Sequence, residues 1–181
     1  PGVPEGSDLC ITPVSAPENH YVRIKADNRL DADGTLRGTF TLTAEGQSDS
    51  NIRRIFTTGF QSEWKSTMER QLLAISPKAR LLSVDYGKNP KDYQAAPIKI
   101  TFRYEIPDYA LRGEGEMFFR PMVMNNLYNQ VRSYIWIDTS VENRKYGFKD
   151  GCSRLVELDE TIQLPAGYKL VSAAKDETMQ G

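Results

Sequence analysis

The sequence predicts a mainly β protein of the α+β kind: an antiparallel β-sandwich or curved sheet of about eight strands, with one long helix inserted at about 50–75. Three observations predict it. Apolar and polar residues alternate on both sides of "DADG" at 31–34, the apolar period then lengthens to three and four, and after Pro77 it returns to two in a series of short stretches. A period of two puts every second side chain on one face of a strand, whereas three-and-four spacing lines one side of a helix.

Residues 1–19 hold four prolines and two glycines and show little periodicity, so they read as an irregular lead-in or linker. From Tyr21 onward, Val22, Ile24 and Ala26 alternate with Tyr21, Arg23 and Lys25. After "DADG", Leu36, Phe40, Leu42 and Ala44 alternate with Thr35, Arg37, Thr39, Thr41 and Thr43. Two half-buried strands joined by a tight turn follow. From Ser50 the residues Ile52, Ile55, Phe56, Phe60, Trp64, Met68, Leu72 and Ile75 form one apolar helix face, which Pro77 ends. Ser48, Asp49 or Ser50 can cap its start, and Gly59 marks a bend. Strand vocabulary then returns at 79–87, 97–106, 110–121, 133–139, 154–164 and 167–174, separated by turn-rich breaks such as "KNPKD" and "LPAG". Residues 20–173 read as a single β-rich domain and 174–181 as a polar tail.

Composition removes several function classes. Lys plus Arg number 23 against 24 Asp plus Glu, interspersed along 181 residues, so no basic stripe follows a phosphate backbone and nucleic acid is not an expected partner. No apolar run reaches the ~20 residues of a membrane helix. The opening "PGVPEGSDLC" has neither an initiator Met nor an apolar leader and reads as a piece of a longer chain. Cys10 and Cys152 lie in polar surroundings. They are either one disulfide closing a very long loop, worth ~4 kcal/mol in the chain-entropy model, or two free thiols.

"DADG" offers two carboxylates and a glycine, as a calcium loop does. An EF-hand with Gly34 at its sixth position would place Arg29 first and Phe40 twelfth, where carboxylates are required, so Asp33 and Gly34 read as a hairpin turn. Thiol catalysis needs an imidazole and an orienting group beside the cysteine. The single histidine, His20, follows Cys10 by ten residues, and none follows Cys152. Zinc would need several closely spaced Cys or His ligands. No catalytic, cofactor-binding or metal residue is therefore assigned. Glu114 and Glu116 share a face of the strand at 110–121, about 7 Å apart, a spacing within the range of glycosidase carboxylates. Tyr134 and Trp136 share another strand face, with Tyr128 and Tyr146 nearby, and together they form a candidate stacking platform for sugar rings. Phe118 and Phe119 point to opposite faces of their strand. Arg53, Arg54, Lys65 and Arg70 read as a solvated outer face of the helix, with a partner-binding surface as the alternative.

The order of "NRLDADGTLRGTFTLTAEG", the helix "NIRRIFTTGFQSEWKSTMERQLL", "YEIPDYA", "EGEMFFRPM" and "ETIQLPAGYKLV" resembles the C-terminal β-domain of bacterial transglutaminase-like proteins, common in Bacteroidetes. The resemblance spans about 20–173. In that family an N-terminal β-domain and a papain-like core, with Cys, His and Asp in that chain order, precede this region. The chain departs from the family where "RKYGFKDGCSR" replaces a proline-containing run. The resemblance implies a non-catalytic accessory domain, extracytoplasmic, whose partner is the catalytic core of the same polypeptide, with protein or glycan at the cell envelope as further partners. A carbohydrate- or surface-binding module using Tyr134 and Trp136 is the alternative. A glycosidase built on Glu114 and Glu116 is the third reading.

Overall fold

The structure, a computed structural model, is described for residues 13–94, 97–123 and 153–173. In chain order its elements are β1 (Val22–Leu30), β2 (Leu36–Ala44), α1 (Gly46–Thr57), α2 (Trp64–Leu73), β3 (Arg80–Asp85), β4 (Ile98–Ile106), β5 (Leu111–Arg112), β6 (Met117–Phe118) and β7 (Val156–Gln163). Short 3-10 turns at Pro17–His20 and Gln61–Glu63 precede β1 and α2.

β1 and β2 form an unbroken antiparallel ladder from Val22 opposite Ala44 to Leu30 opposite Leu36. The "DADG" stretch is the turn between them. Gly34 takes φ +82°, a left-handed angle that glycine adopts without strain. The amide of Gly34 donates to the carbonyl of Asp31 at 2.9 Å, and that of Thr35 donates to Oδ1 of Asp33 at 2.9 Å. These bonds from Thr35, its amide first, hold the Asp33 carboxyl below the usual carboxylate range.

The main sheet runs β3-β4-β2-β1-β7. β4 pairs antiparallel with β2 on one side and β3 on the other, whereas β7 joins β1 in parallel, so the sheet is mixed rather than purely antiparallel. β5 and β6 form a separate two-stranded hairpin. The described residues thus hold seven strands in place of about eight, and 167–173 carries no ladder although its alternation predicted a strand. Along β3, Leu81 faces Tyr104 and Ser83 faces Arg103, which leaves Leu82 as an extra residue in a β-bulge.

The long helix predicted at 50–75 is two helices. The Thr57 and Thr58 hydroxyls both donate to the carbonyl of Arg54, and Phe60 adopts extended angles. Such back-bonding loosens a helix end, and Gly59 lets the chain turn there. Phe60 is consequently 76 % exposed instead of lying on the apolar face. Ile52, Phe56, Trp64, Met68 and Leu72 do face inward and cover one side of the sheet. Beneath them lie Val22, Ile24 and Ala26 of β1, with Phe40 stacked on Phe102 at 4.3 Å between ring centres. Phe56, Trp64 and Tyr86 meet edge to face. Each such apolar side chain stabilises the fold by roughly 1.5–3 kcal/mol.

Arg53, expected on a solvated outer face, is 2 % exposed. Its guanidinium donates to Asp49 at 2.7 Å and to the carbonyls of Pro90 and Asp92 at 3.1 and 2.9 Å, so it ties α1 to the loop before β4. Asp49 also accepts the amide of Ile98 at 2.7 Å, so this expected cap residue reaches across to β4. The opposite sheet face is polar. Thr41 and Thr101 share a hydrogen bond there, Arg23 pairs with Glu157, and Arg37 pairs with Asp31 and Glu105. Exposed ion pairs of this kind each add only ~0–1 kcal/mol.

Candidate functional site

The hairpin that projects apolar side chains into water is built on the turn just described. β4 ends at Ile106, and Asp108 takes a left-handed φ of 51° while its carboxylate accepts the Lys78 ammonium at 2.7 Å. That ion pair holds the Asp108 carboxyl below the usual range. The amides of Tyr109 and Ala110 then both donate to the carbonyl of Gly34, at 2.8 and 3.0 Å. The β1–β2 turn is thus the platform on which the β5–β6 hairpin stands.

Within the hairpin Leu111 lies opposite Phe118, and Arg112 lies opposite Met117. Met117 and Phe119 pack against the core, and the Tyr109 hydroxyl donates to the carbonyl of Arg120 at 2.6 Å. The other side of the pair points outward: Leu111 is 74 % and Phe118 61 % exposed. Opposite orientations for Phe118 and Phe119 agree with the strand reading at that point.

Glu114 and Glu116 do not share a strand face. They sit in the loop that closes the hairpin, where Gly115 has φ +78° and the amide of Gly113 donates to the carbonyl of Glu116 at 2.9 Å. Glycines at 113 and 115 interrupt the ladder, so the alternation that put the two carboxylates together does not operate. Both are exposed at an acidic tip. Tyr128, Tyr134, Trp136 and Tyr146, as well as Cys10 and Cys152, lie outside the described residues.

A second constellation went unread in the sequence. The hydroxyl of buried Tyr104 donates to Oδ1 of Asn28, and Nδ2 of Asn28 donates to Oε1 of Glu160 at 2.7 Å. The Glu160 carboxylate also accepts the amides of Met122 and Val123 at 3.1 and 2.9 Å. Burial, reinforced by the Glu160 charge, raises the Tyr104 phenol far above its ordinary value, and the same two causes raise Tyr109. A neutral phenol, an amide and a carboxylate that accepts three hydrogen bonds make a brace joining β4, β1, β7 and the residues after β6. Its sequence signals were a polar Asn28 at an inward position of β1 and a glycine at the facing position of β2. A Cβ on Gly38 would stand 2.0 Å from Oδ1 of Asn28.

A shallow depression of about 420 Å³ lies between α2 and β3, lined by Gln61, Trp64, Lys65, Leu82, Ser83, Val84 and Tyr86. The Tyr86 hydroxyl is buried without a hydrogen-bond partner among the described residues, and burial raises its phenol. Among the described residues no group of three or more His, Cys, Asp or Glu side chains is placed to hold a metal ion, and no helix is long and apolar enough to cross a membrane. Compared with protein-family models, curated proteins and solved structures, the chain gives no match.

Proposed function

We propose that the chain is a non-catalytic interaction domain that docks, through its β5–β6 hairpin, on a transglutaminase-like core of the same exported bacterial polypeptide. The family resemblance supplies the partner and the extracytoplasmic setting. The exposed Leu111–Phe118 pair is the observation that carries the docking role. Two large apolar side chains held opposite one another on a hairpin anchored to the β1–β2 turn leave apolar surface in water, and covering them would return roughly 1.5–3 kcal/mol each. An aromatic anchor beside a charged rim is the usual anatomy of a protein contact. The glutamates at the tip suit a recess with a Lys- or Arg-bearing edge.

Two measurements test this reading. The coding sequence before Pro1 should specify a core with Cys, His and Asp in that order. That core, produced separately, should bind the 181-residue chain in calorimetry, and Phe118→Ser should weaken binding at least roughly tenfold while leaving the thermal midpoint in place. An upstream sequence without such a core, or a Phe118→Ser chain that binds like the parent, overturns the proposal.

A further inference from the structure

His20 is the only histidine of the chain, and it meets α1 twice. The amide of Gln47 donates to its Nδ1 at 3.0 Å, and the Ser48 hydroxyl donates to its carbonyl oxygen at 2.8 Å. The first amides of a helix have no partner within it. The residue preceding α1, Glu45, makes no capping bond with its side chain. An imidazole from the turn before β1 supplies the missing acceptor instead.

We infer that His20 is a pH-operated latch between the lead-in turn Pro17–His20 and the first turn of α1. Nδ1 accepts a hydrogen bond only in the neutral ring, with the proton on Nε2. A second proton converts Nδ1 into a donor that faces the Gln47 donor, at the positive end of the helix.

The charged groups at this corner are Glu18 in the same 3-10 turn, Glu45 before α1, Asp49 in its first turn, and Arg23 on β1. Neither Glu18 nor Glu45 gives Nδ1 back its lone pair once the ring is protonated. The Asp49 carboxylate is committed to Arg53 and to the amide of Ile98, while Arg23 lies over the Tyr21 ring and pairs with Glu157. Acidification therefore releases the contact with Gln47, while the Arg53 clamp holds the rest of α1. The opening stays local, at the point where the lead-in joins the domain.

Amide exchange of Gln47 in the full chain, corrected for the intrinsic rate, tests the latch at about pH 7.5 and about pH 5, which span the range in which imidazole side chains as a class change charge. His20→Asn keeps an acceptor near the place of Nδ1 at both values, and His20→Ala has none. The parent chain should match His20→Asn at the higher pH and His20→Ala at the lower, a loss of roughly five- to tenfold in protection. Agreement of the parent with one variant at both pH values, or no difference between the variants, overturns the inference.

Discussion

Among the described residues two hairpins are turned by an acidic residue followed by glycine, Asp33 and Gly34 in one and Glu114 and Gly115 in the other. The glycines have nearly the same angle, φ +82° and +78°. Their strands share little else. β1 and β2 run for nine residues each and send alternate side chains under two helices, whereas β5 and β6 run for two and leave Leu111 and Phe118 in solvent. The difference teaches that a local turn signal sets where the chain reverses, while what covers the strands decides whether the reversal stabilises the fold or presents a surface.

The largest test of that contrast compares two phenylalanines. Phe40→Ala removes a ring stacked on Phe102 in the core and should cost about 3–5 kcal/mol in urea unfolding. Phe118→Ala should stay within about 0.5 kcal/mol. Comparable losses would place both hairpins in the core and end the distinction.

A smaller effect is expected at the brace behind the long hairpin. Tyr104→Phe leaves Oδ1 of Asn28 without its donor and should cost about 1–3 kcal/mol at neutral pH. The fold keeps the Tyr104 and Tyr109 phenols protonated, while the unfolded chain releases such protons near pH 10. Stability should thus be complete below about pH 10 and decline as the pH rises above it. Urea midpoints across alkaline pH should decline less steeply for Tyr104→Phe, because the most strongly raised of the three raised phenols, Tyr104, Tyr109 and Tyr86, is gone. The smallest effect separates the glycines. Gly34→Ala should lower stability by about 1–2 kcal/mol through its left-handed angle, with the Ala110 carbonyl only 3.0 Å from the added carbon. Gly115→Ala meets no atom within 4 Å and strains only the exposed two-residue hairpin, so its thermal midpoint should move less.

Elements governed by local chemistry were legible in the sequence. Val22, Ile24 and Ala26 announced β1, and Asp33 with Gly34 announced its turn. Alternation carries no strand direction, however, so the parallel pairing of β7 with β1 left no sign. Arg53 looked like a surface residue because the carbonyls of Pro90 and Asp92 that bury it arrive from a distant loop. Counting helical spacing through Gly59 carried Phe60 inward, although the break resets the phase and turns it out. The exposed Leu111–Phe118 pair was only half visible. Strand spacing put Phe118 and Phe119 on opposite faces without telling which one faces solvent, and the shortness of β5 and β6 depends on Gly113 and Gly115 interrupting the ladder. Asn28 and Gly38 carried the clearest missed signal, a polar side chain at an inward position with a space kept opposite it.

The extra residue at Leu82 also bears on how the protein behaves in a crowded solution. β3 is an edge of the main sheet among the described residues, and a straight edge strand is a template on which a neighbouring chain can continue the ladder. The bulge puts the backbone donors and acceptors on either side of Leu82 out of step, so a strand arriving there cannot keep register along its whole length. One inserted residue thus disfavours strand-by-strand addition along this edge.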